Sequence, residues 1–165
     1  MDCIADAVVE ETWEEVARFP PQRAEREMQR VAKRQRHLLT FVDAYSEDLS
    51  REAAELAFYM FFTIYRMFQR AYGVKVARVH SDKIEAGLDQ NENLLGRLEG
   101  AHVKFIERVA QVESSRQPHV MRYLVETLIE APEGEDPVDL TEEETGILFL
   151  ILKTVIDVLD RAVKA

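Results

Sequence analysis

The feature that most restricts the fold of this chain is an apolar run of ten residues, "LAFYMFFTIY", from Leu56 to Tyr65. A membrane-spanning helix needs about twice that length, and Arg66 and Arg70 follow the run directly. A segment that is apolar on every side is instead typical of a helix buried within a protein. A second apolar segment, "ILFLILKTVIDVL", lies near the C-terminus. We therefore expect two central helices that shield each other from water.

Most of the remaining chain repeats apolar residues at the three- and four-residue spacing of a helix. The 165 residues predict a single domain, 1–165, that folds as an all-α bundle of about six helices. The predicted helices cover about 2–19, 21–45, 51–73, 81–112, 118–131 and 141 to the C-terminus. Trp13 and the aromatic residues of the third helix, including Tyr59, are interpreted as core. Gly87 weakens the fourth helix unless it permits a close approach to another helix.

Short sequences recur along the chain. "RQRH" at residues 34–37 returns as "RQPH" at residues 116–119, and residues 49–71 align without a gap to residues 140–162. Ser50 and Thr141 are equivalent helix caps in that alignment. This pattern favours an internal repeat, 30–72 and 108–163, that forms two helical hairpins related by a pseudo-twofold axis. The alternative is that amphipathic helices of biased composition resemble one another by chance.

Two pairs of residues in the repeat are candidate metal ligands. His37 and His119, together with Glu52 and Glu143, would suit zinc, manganese or iron in the core of a helical bundle. Glu52 and Glu143 also lie in the first turn of their predicted helices, where a carboxylate stabilises the helix dipole without a metal. The histidine of the repeated sequence is accordingly interpreted as a structural residue.

The other candidate metal site is Glu99-x-x-His102, which has the spacing found in di-iron carboxylate bundles. Those bundles need two such pairs, and the chain contains one. His102 also falls on the apolar seam of the fourth predicted helix. We therefore interpret His102 as a buried, hydrogen-bonded core residue.

Charge is unevenly distributed along the chain. The net charge of −10 argues against general affinity for nucleic acid. Residues 126–144 contain nine acidic residues and no basic one. One face of the second predicted helix, by contrast, carries a basic stripe within an arc of about 100°: Arg23, Arg26, Arg30, Lys33 and Arg34. The stripe predicts either a solvated face or a contact with an acidic protein partner, including the acidic loop of this chain or of a second copy.

Several observations define the expected function. The N-terminal sequence "MDCIADAVVEETWEE" lacks the layout of a secretion signal, which predicts a cytoplasmic location without a membrane anchor. No nucleophilic triad, glycine-rich phosphate loop or CxxC motif is present. We therefore expect a non-catalytic interaction or regulatory domain that forms a homodimer and needs no cofactor. The alternative is a metal-dependent helical-bundle enzyme that uses histidine and glutamate ligands.

Overall fold

The computed structural model describes residues 2–96, 115–134 and 136–165. These residues form an all-α bundle, as predicted, with one isolated β-bridge, between Val76 and Val163. No helix among them combines the length and the apolar character needed to cross a lipid bilayer. Seven α-helices lie in these ranges: α1 (Asp6–Ala17), α2 (Pro21–Arg34), α3 (Arg36–Ser46), α4 (Arg51–Tyr72), α5 (Ser81–Gly96), α6 (Pro118–Glu130) and α7 (Glu142–Arg161).

The core is built around α4 and α7, the two apolar segments, which pack against each other. Phe61 and Phe68 of α4 and Phe149 of α7 are completely buried. Helices α1 and α3 cover α4, whereas α5 and α6 cover α7. Burial of large apolar side chains is the main driving force for this arrangement, at roughly 1.5–3 kcal/mol for each fully buried side chain.

The two central helices begin side by side, and one carboxylate links their N-termini. Ser50 Oγ accepts a hydrogen bond from the Ala53 amide, and Thr141 Oγ1 accepts one from the Glu144 amide. The Glu144 carboxylate then accepts from the backbone N–H groups of Ser50, at 2.9 Å, and Thr141, at 3.2 Å. These two backbone bonds lower the pKa of Glu144. Both predicted caps are confirmed, and Glu144 fastens the two helix starts together.

The prediction of one helix from 21 to 45 is wrong, because the chain breaks at Gln35. This residue has φ −127° and ψ 53°, which ends α2 and begins α3. Its side chain is buried and hydrogen-bonds to a distant segment: Nε2 donates to the Ala77 carbonyl at 2.9 Å, and Oε1 accepts from the Val79 amide at 3.0 Å. The break therefore places an amide where it holds the segment that leads into α5.

Gln117, the matching residue of the second "RQ" sequence, has almost the same conformation, with φ −124° and ψ 66°. Its Oε1 accepts a hydrogen bond from the Ile4 amide at 2.9 Å. Its Nε2 donates to Tyr72 Oη at 2.8 Å and to Asp160 Oδ1 at 2.9 Å. Ile4 precedes α1 by two residues, just as Val79 precedes α5. The glutamine of the repeated sequence, rather than its histidine, is the buried residue in both places.

The predicted fourth helix is described only in part. Helix α5 ends at Gly96, and Ile84, Leu88 and Asn91 of the predicted seam are buried within it. The seam positions beyond Gly96, among them His102, and residues 108–114 and 135 of the predicted repeat segment lie outside the described residues. Gly87 lies where α5 meets α7, and a Cβ atom there would come within 2.8 Å of Val158 Cγ1. Of the two possibilities that the sequence leaves open for this glycine, the structure shows the close approach.

We predict that Gln35→Leu and Gln117→Leu each destabilise the fold. Each replacement leaves buried backbone or side-chain groups without partners, at about 1–3 kcal/mol for each group. Urea unfolding monitored by circular dichroism would measure the loss of free energy. The exposed Gln29→Leu on α2 is the matched control and should change stability by less than about 0.5 kcal/mol. A Gln35→Leu variant as stable as that control would contradict the anchoring role.

A second prediction compares two helical glycines. Gly87→Ala should lower the free energy of unfolding by about 1–3 kcal/mol, because the new methyl group overpacks the α5–α7 contact. Gly146→Ala in α7 should raise it by up to about 1 kcal/mol, since no atom lies within 4 Å of a Cβ at that position. Thermal and urea unfolding of the two variants would measure the difference. Equal stabilisation of both would show that α5 and α7 do not pack this closely.

Candidate interaction groove

The histidine and glutamate candidates lie at the starts of their helices. His37 and His119 occupy the first turns of α3 and α6, and Glu52 and Glu143 occupy those of α4 and α7. The His119 ring accepts a hydrogen bond at Nδ1 from Arg122, at 2.6 Å. Within the described ranges, no group of three or more histidine, cysteine, aspartate or glutamate side chains could hold a metal ion.

Two further placements concern these metal candidates. The ring of His37 has another histidine, His80, as its neighbour, with the ring centroids 5.9 Å apart. Glu99 and His102 fall within residues 97–114, outside the described part of the chain.

A groove of about 520 Å³ lies between α1, α4, α6 and the loop residues Ala131, Gly134, Asp136 and Val138. We call it the Tyr59 groove, and its aromatic lining consists of Trp13, Tyr59 and Tyr123. Trp13 and Tyr59 are 42% and 43% exposed, so their interpretation as core residues is wrong. Burial raises the pKa of both Tyr59 and Tyr123, which keeps their hydroxyl groups protonated at neutral pH. The groove thus offers neutral aromatic surfaces to a partner.

The rim of the groove is strongly acidic. Arg122 and His119 also lie on the rim, but both contact Asp6: Arg122 Nη2 is 2.8 Å and His119 Nδ1 is 3.8 Å from its Oδ1. More carboxylates than cations therefore line the groove. The five acidic lining residues are Asp6, Glu10, Glu126, Glu130 and Asp136. Aromatic faces beside carboxylates form a surface that suits guanidinium groups, which stack on the rings and pair with the acids.

The predicted basic stripe is present on α2, and all five of its cationic residues are exposed. The guanidinium of Arg23 lies 4.1 Å from the centre of the Phe19 ring, and Arg30 pairs with Glu27 at 3.1 Å. Helix α2 also forms one wall of a hollow that continues the Tyr59 groove, in which Ala24 and Met28 lie opposite Tyr59. The helix that carries the basic stripe therefore lies beside the groove, and its Ala24 and Met28 rather than the stripe residues line the hollow.

No protein-family model matches this chain, and comparisons with curated proteins and with solved structures likewise find no match. Function must therefore be inferred from the surfaces themselves.

One sequence signal for the groove was available: Trp13 stands in "EETWEE", and a tryptophan flanked on both sides by glutamates is poorly suited to a core. Tyr59 carries no comparable signal, because it stands inside the apolar run "LAFYMFFTIY".

A second polar cluster joins α5 to α7. The Lys153 side chain is only 8% exposed, and its Nζ donates to Asp157 Oδ2 at 2.8 Å and to Asn91 Oδ1 at 2.9 Å. Asn91 Nδ2 donates in turn to Thr154 Oγ1 and Asp157 Oδ2. The cluster forms part of the lining of a cavity of about 370 Å³. Because its members satisfy one another, we interpret it as a structural link that fixes the register of α5 on α7.

This interpretation predicts a large difference between single and double replacements. Asp157→Leu alone leaves the Lys153 ammonium buried without a carboxylate and should cost about 3 kcal/mol or more. Lys153→Met combined with Asp157→Leu removes both charges and should recover most of that loss. Urea unfolding of the two variants and of Lys153→Met alone would complete the double-mutant cycle. Simple additivity of the single losses would show that the pair does not act as a unit.

Proposed function

We propose that this protein is a non-catalytic, cytoplasmic interaction domain that acts through protein–protein contacts and self-associates as a homodimer. In the dimer, the basic face of α2 from one copy lies in the Tyr59 groove of the other. The observation that carries the proposal is the exposure of two large aromatic side chains, Trp13 and Tyr59, among carboxylates and beside an arginine-rich helix.

The proposal includes an internal repeat whose halves are related by a pseudo-twofold axis. Three equivalences support it. Gln35 and Gln117 share a backbone conformation, and each binds the amide two residues before α1 or α5. Helix α1 packs on α4 and α6, while α5 packs on α7 and α3. The repeat units then become residues 4–72 and 79–161, which are longer than the sequence alone predicts.

The second half supplies an internal comparison for the groove. In the proposed repeat, Trp13 corresponds to Leu88 and Tyr59 corresponds to Leu150. Leu88 is 7% exposed, and Leu150 is half-buried. The fold therefore accommodates smaller, better covered side chains at these positions, and packing does not require the exposed aromatic groups of the first half. Exposed aromatic residues that packing does not require favour a binding role.

The chemistry of the two surfaces is complementary. Four of the five cations on α2 are arginines, which stack on aromatic faces and pair with carboxylates in two-point geometry. A guanidinium already stacks in this way within the chain, where Arg23 and Arg66 lie over the ring of Phe19. A second copy would repeat the same contact on Trp13 and Tyr59. It would also neutralise part of the acidic rim.

The placement of the surfaces fits a closed dimer. In a twofold dimer, the basic face of one copy meets the Tyr59 groove of the other, and the reverse contact forms at the same time. This exchange requires the two patches to be neighbours on each copy. The position of α2 supports this arrangement, because its Ala24 and Met28 line the hollow that continues the groove and so bring the helix with the basic face next to it.

We expect the mass measured by light scattering to rise from monomer to dimer as the protein concentration increases. The mass should fall again at high salt, because salt screens the charge pairs. Arg26→Glu with Arg30→Glu should weaken the dimer at least tenfold, since the reversed charges face the acidic rim. Glu126→Arg with Glu130→Arg should weaken it similarly. Mixing the two reversed variants should restore a heterodimer, because opposite charges again face each other.

The matched control is Lys75→Glu with Lys164→Glu, which reverses two exposed charges away from both surfaces. This variant should dimerise like the unaltered chain. A protein that stays monomeric at every concentration would contradict self-association. A dimer that survives both reversals would place the interface elsewhere. Fluorescence of Trp13, the one tryptophan in the chain, would report directly whether the groove is covered in the dimer.

A further inference from the structure

A second surface feature, distinct from the Tyr59 groove, lies between residues 77–83, α5 and α7. It is a cavity of about 530 Å³ that we call the Arg161 pocket. Its charged and titratable lining residues are Arg78, His80, Lys83 and Arg161, and no carboxylate lines it. On a chain with a net charge of −10, a cavity lined only by basic groups and neutral residues is an exception that calls for a physical explanation.

The proposed repeat supplies a comparison for Arg161, whose counterpart in the first half is Arg70. Arg70 Nη1 lies 3.1 Å from Glu15 Oε2, and its Nη2 lies 3.6 Å from Glu11 Oε2. The first half therefore provides two carboxylates for its arginine. In the first half, the arginine at this position is therefore paired with acids of the same chain.

The second half has neutral residues in place of both acids, and it has Asp157 in place of Arg66, whose Nη2 lies 2.6 Å from Glu15 Oε1 in the first half. Glu11 corresponds to Ala86, and Glu15 corresponds to Gln90. Arg161 Nη2 still donates a hydrogen bond to Gln90 Oε1, at 2.9 Å, but the acceptor is now a neutral amide. No carboxylate among the described residues forms a salt bridge with Arg161, Arg78 or Lys83. Arg161 therefore has a neutral amide partner on the side that faces the pocket, whereas Asp157 and Asp160 line the neighbouring cavity that Arg161 also borders.

Neighbouring elements hold further positive charge at the pocket. The Arg78 guanidinium donates to the backbone carbonyls of Lys33 and Arg34, both at 3.2 Å, which holds the side chain in place without cancelling its charge. Five acids are direct chain neighbours of lining residues, but none is itself a lining residue: Asp82, Glu85, Asp89, Asp157 and Asp160. The N-terminus of α5 begins at Ser81 and adds the positive end of a helix dipole.

The rest of the lining is apolar and small. Val79 and Val158 are 2% exposed, and three alanines complete the apolar part: Ala77, Ala86 and Ala162. The Ala77 amide donates to the Ala162 carbonyl at 3.0 Å, so backbone pairing holds two sides of the hollow together. Small side chains leave room for an apolar body beside the basic groups.

We propose that the Arg161 pocket binds a small organic anion that carries a carboxylate or phosphoryl head group on an apolar body. The head group pairs with Arg161, Lys83 and Arg78 and takes the place that Glu11 and Glu15 occupy around Arg70. The apolar body lies on the floor formed by the alanines and valines. Selective binding needs both the basic groups and the apolar floor. The basic groups alone would bind any anion, and the apolar floor alone would bind any apolar molecule.

Binding can be tested by nuclear magnetic resonance titration of the full-length, ¹⁵N-labelled protein with octanoate and, separately, with octyl phosphate. We expect saturable shifts of amide signals in residues 77–90 and 158–162 with at least one of the two, and the tighter ligand identifies the head group. Octylammonium and inorganic phosphate should bind at least about tenfold more weakly, since one lacks the anionic head group and the other lacks the apolar body. Equal binding of octylammonium, or of inorganic phosphate, would overturn the proposal.

Two variant pairs make the test specific. Arg161→Gln should weaken binding of the tighter ligand about tenfold or more, whereas Arg70→Gln, the equivalent change in the first half, should leave it unchanged. Ala86→Glu with Gln90→Glu rebuilds the internal carboxylates of the first half and should abolish binding in a protein that remains folded. The exposed Gln22→Glu with Ala44→Glu adds the same charge elsewhere and should not. Undiminished binding by the Ala86→Glu and Gln90→Glu variant would overturn the assignment, as would the absence of saturable shifts with both ligands.

Discussion

The mutual burial of α4 and α7 is the constraint on which the rest of the structure depends. Neither helix has a fully polar side along its central turns, so each must be covered from several directions at once. Four further helices, α1, α3, α5 and α6, meet this need in pairs. Their entry points must also be fixed, because a covering helix that slides would expose apolar surface. Gln35 and Gln117 fix those entry points by binding the backbone ahead of α5 and α1.

Much of this fold could be predicted from local sequence patterns. The apolar runs identified the central pair, and Ser50 and Thr141 marked the starts of its helices, since both signals depend on residues within one turn. The break at Gln35 could not be predicted in the same way. Gln35 falls on the same three- and four-residue spacing as Leu38 and Val42, which favours a continuous helix. What interrupts the helix is a pair of hydrogen bonds to residues more than 40 positions away.

The surfaces of the molecule also differ in how far each could be predicted from the sequence. The basic stripe on α2 was predictable, because helix geometry alone places its five residues on one face. The Tyr59 groove and the Arg161 pocket each combine three or more segments that are distant in the chain. Aromatic residues such as Trp13 and Tyr59 are equally suited to a core or to an interface. Their exposure depends on which neighbouring side chains fill the space, and that information is tertiary.

The two halves of the proposed repeat share the residues that hold the fold together and differ at positions that the fold does not restrict. Both keep the anchoring glutamine and the arginine near the end of the central helix. The first half neutralises Arg70 with two glutamates and leaves Trp13 exposed, whereas the second buries Leu88 and leaves Arg161 without a carboxylate. Each half thus contains one feature that the corresponding position of the other half lacks: Trp13, 42% exposed, in the first, and an arginine bound to a neutral amide in the second. Because the opposite half packs without either feature, both features support the proposed binding surfaces.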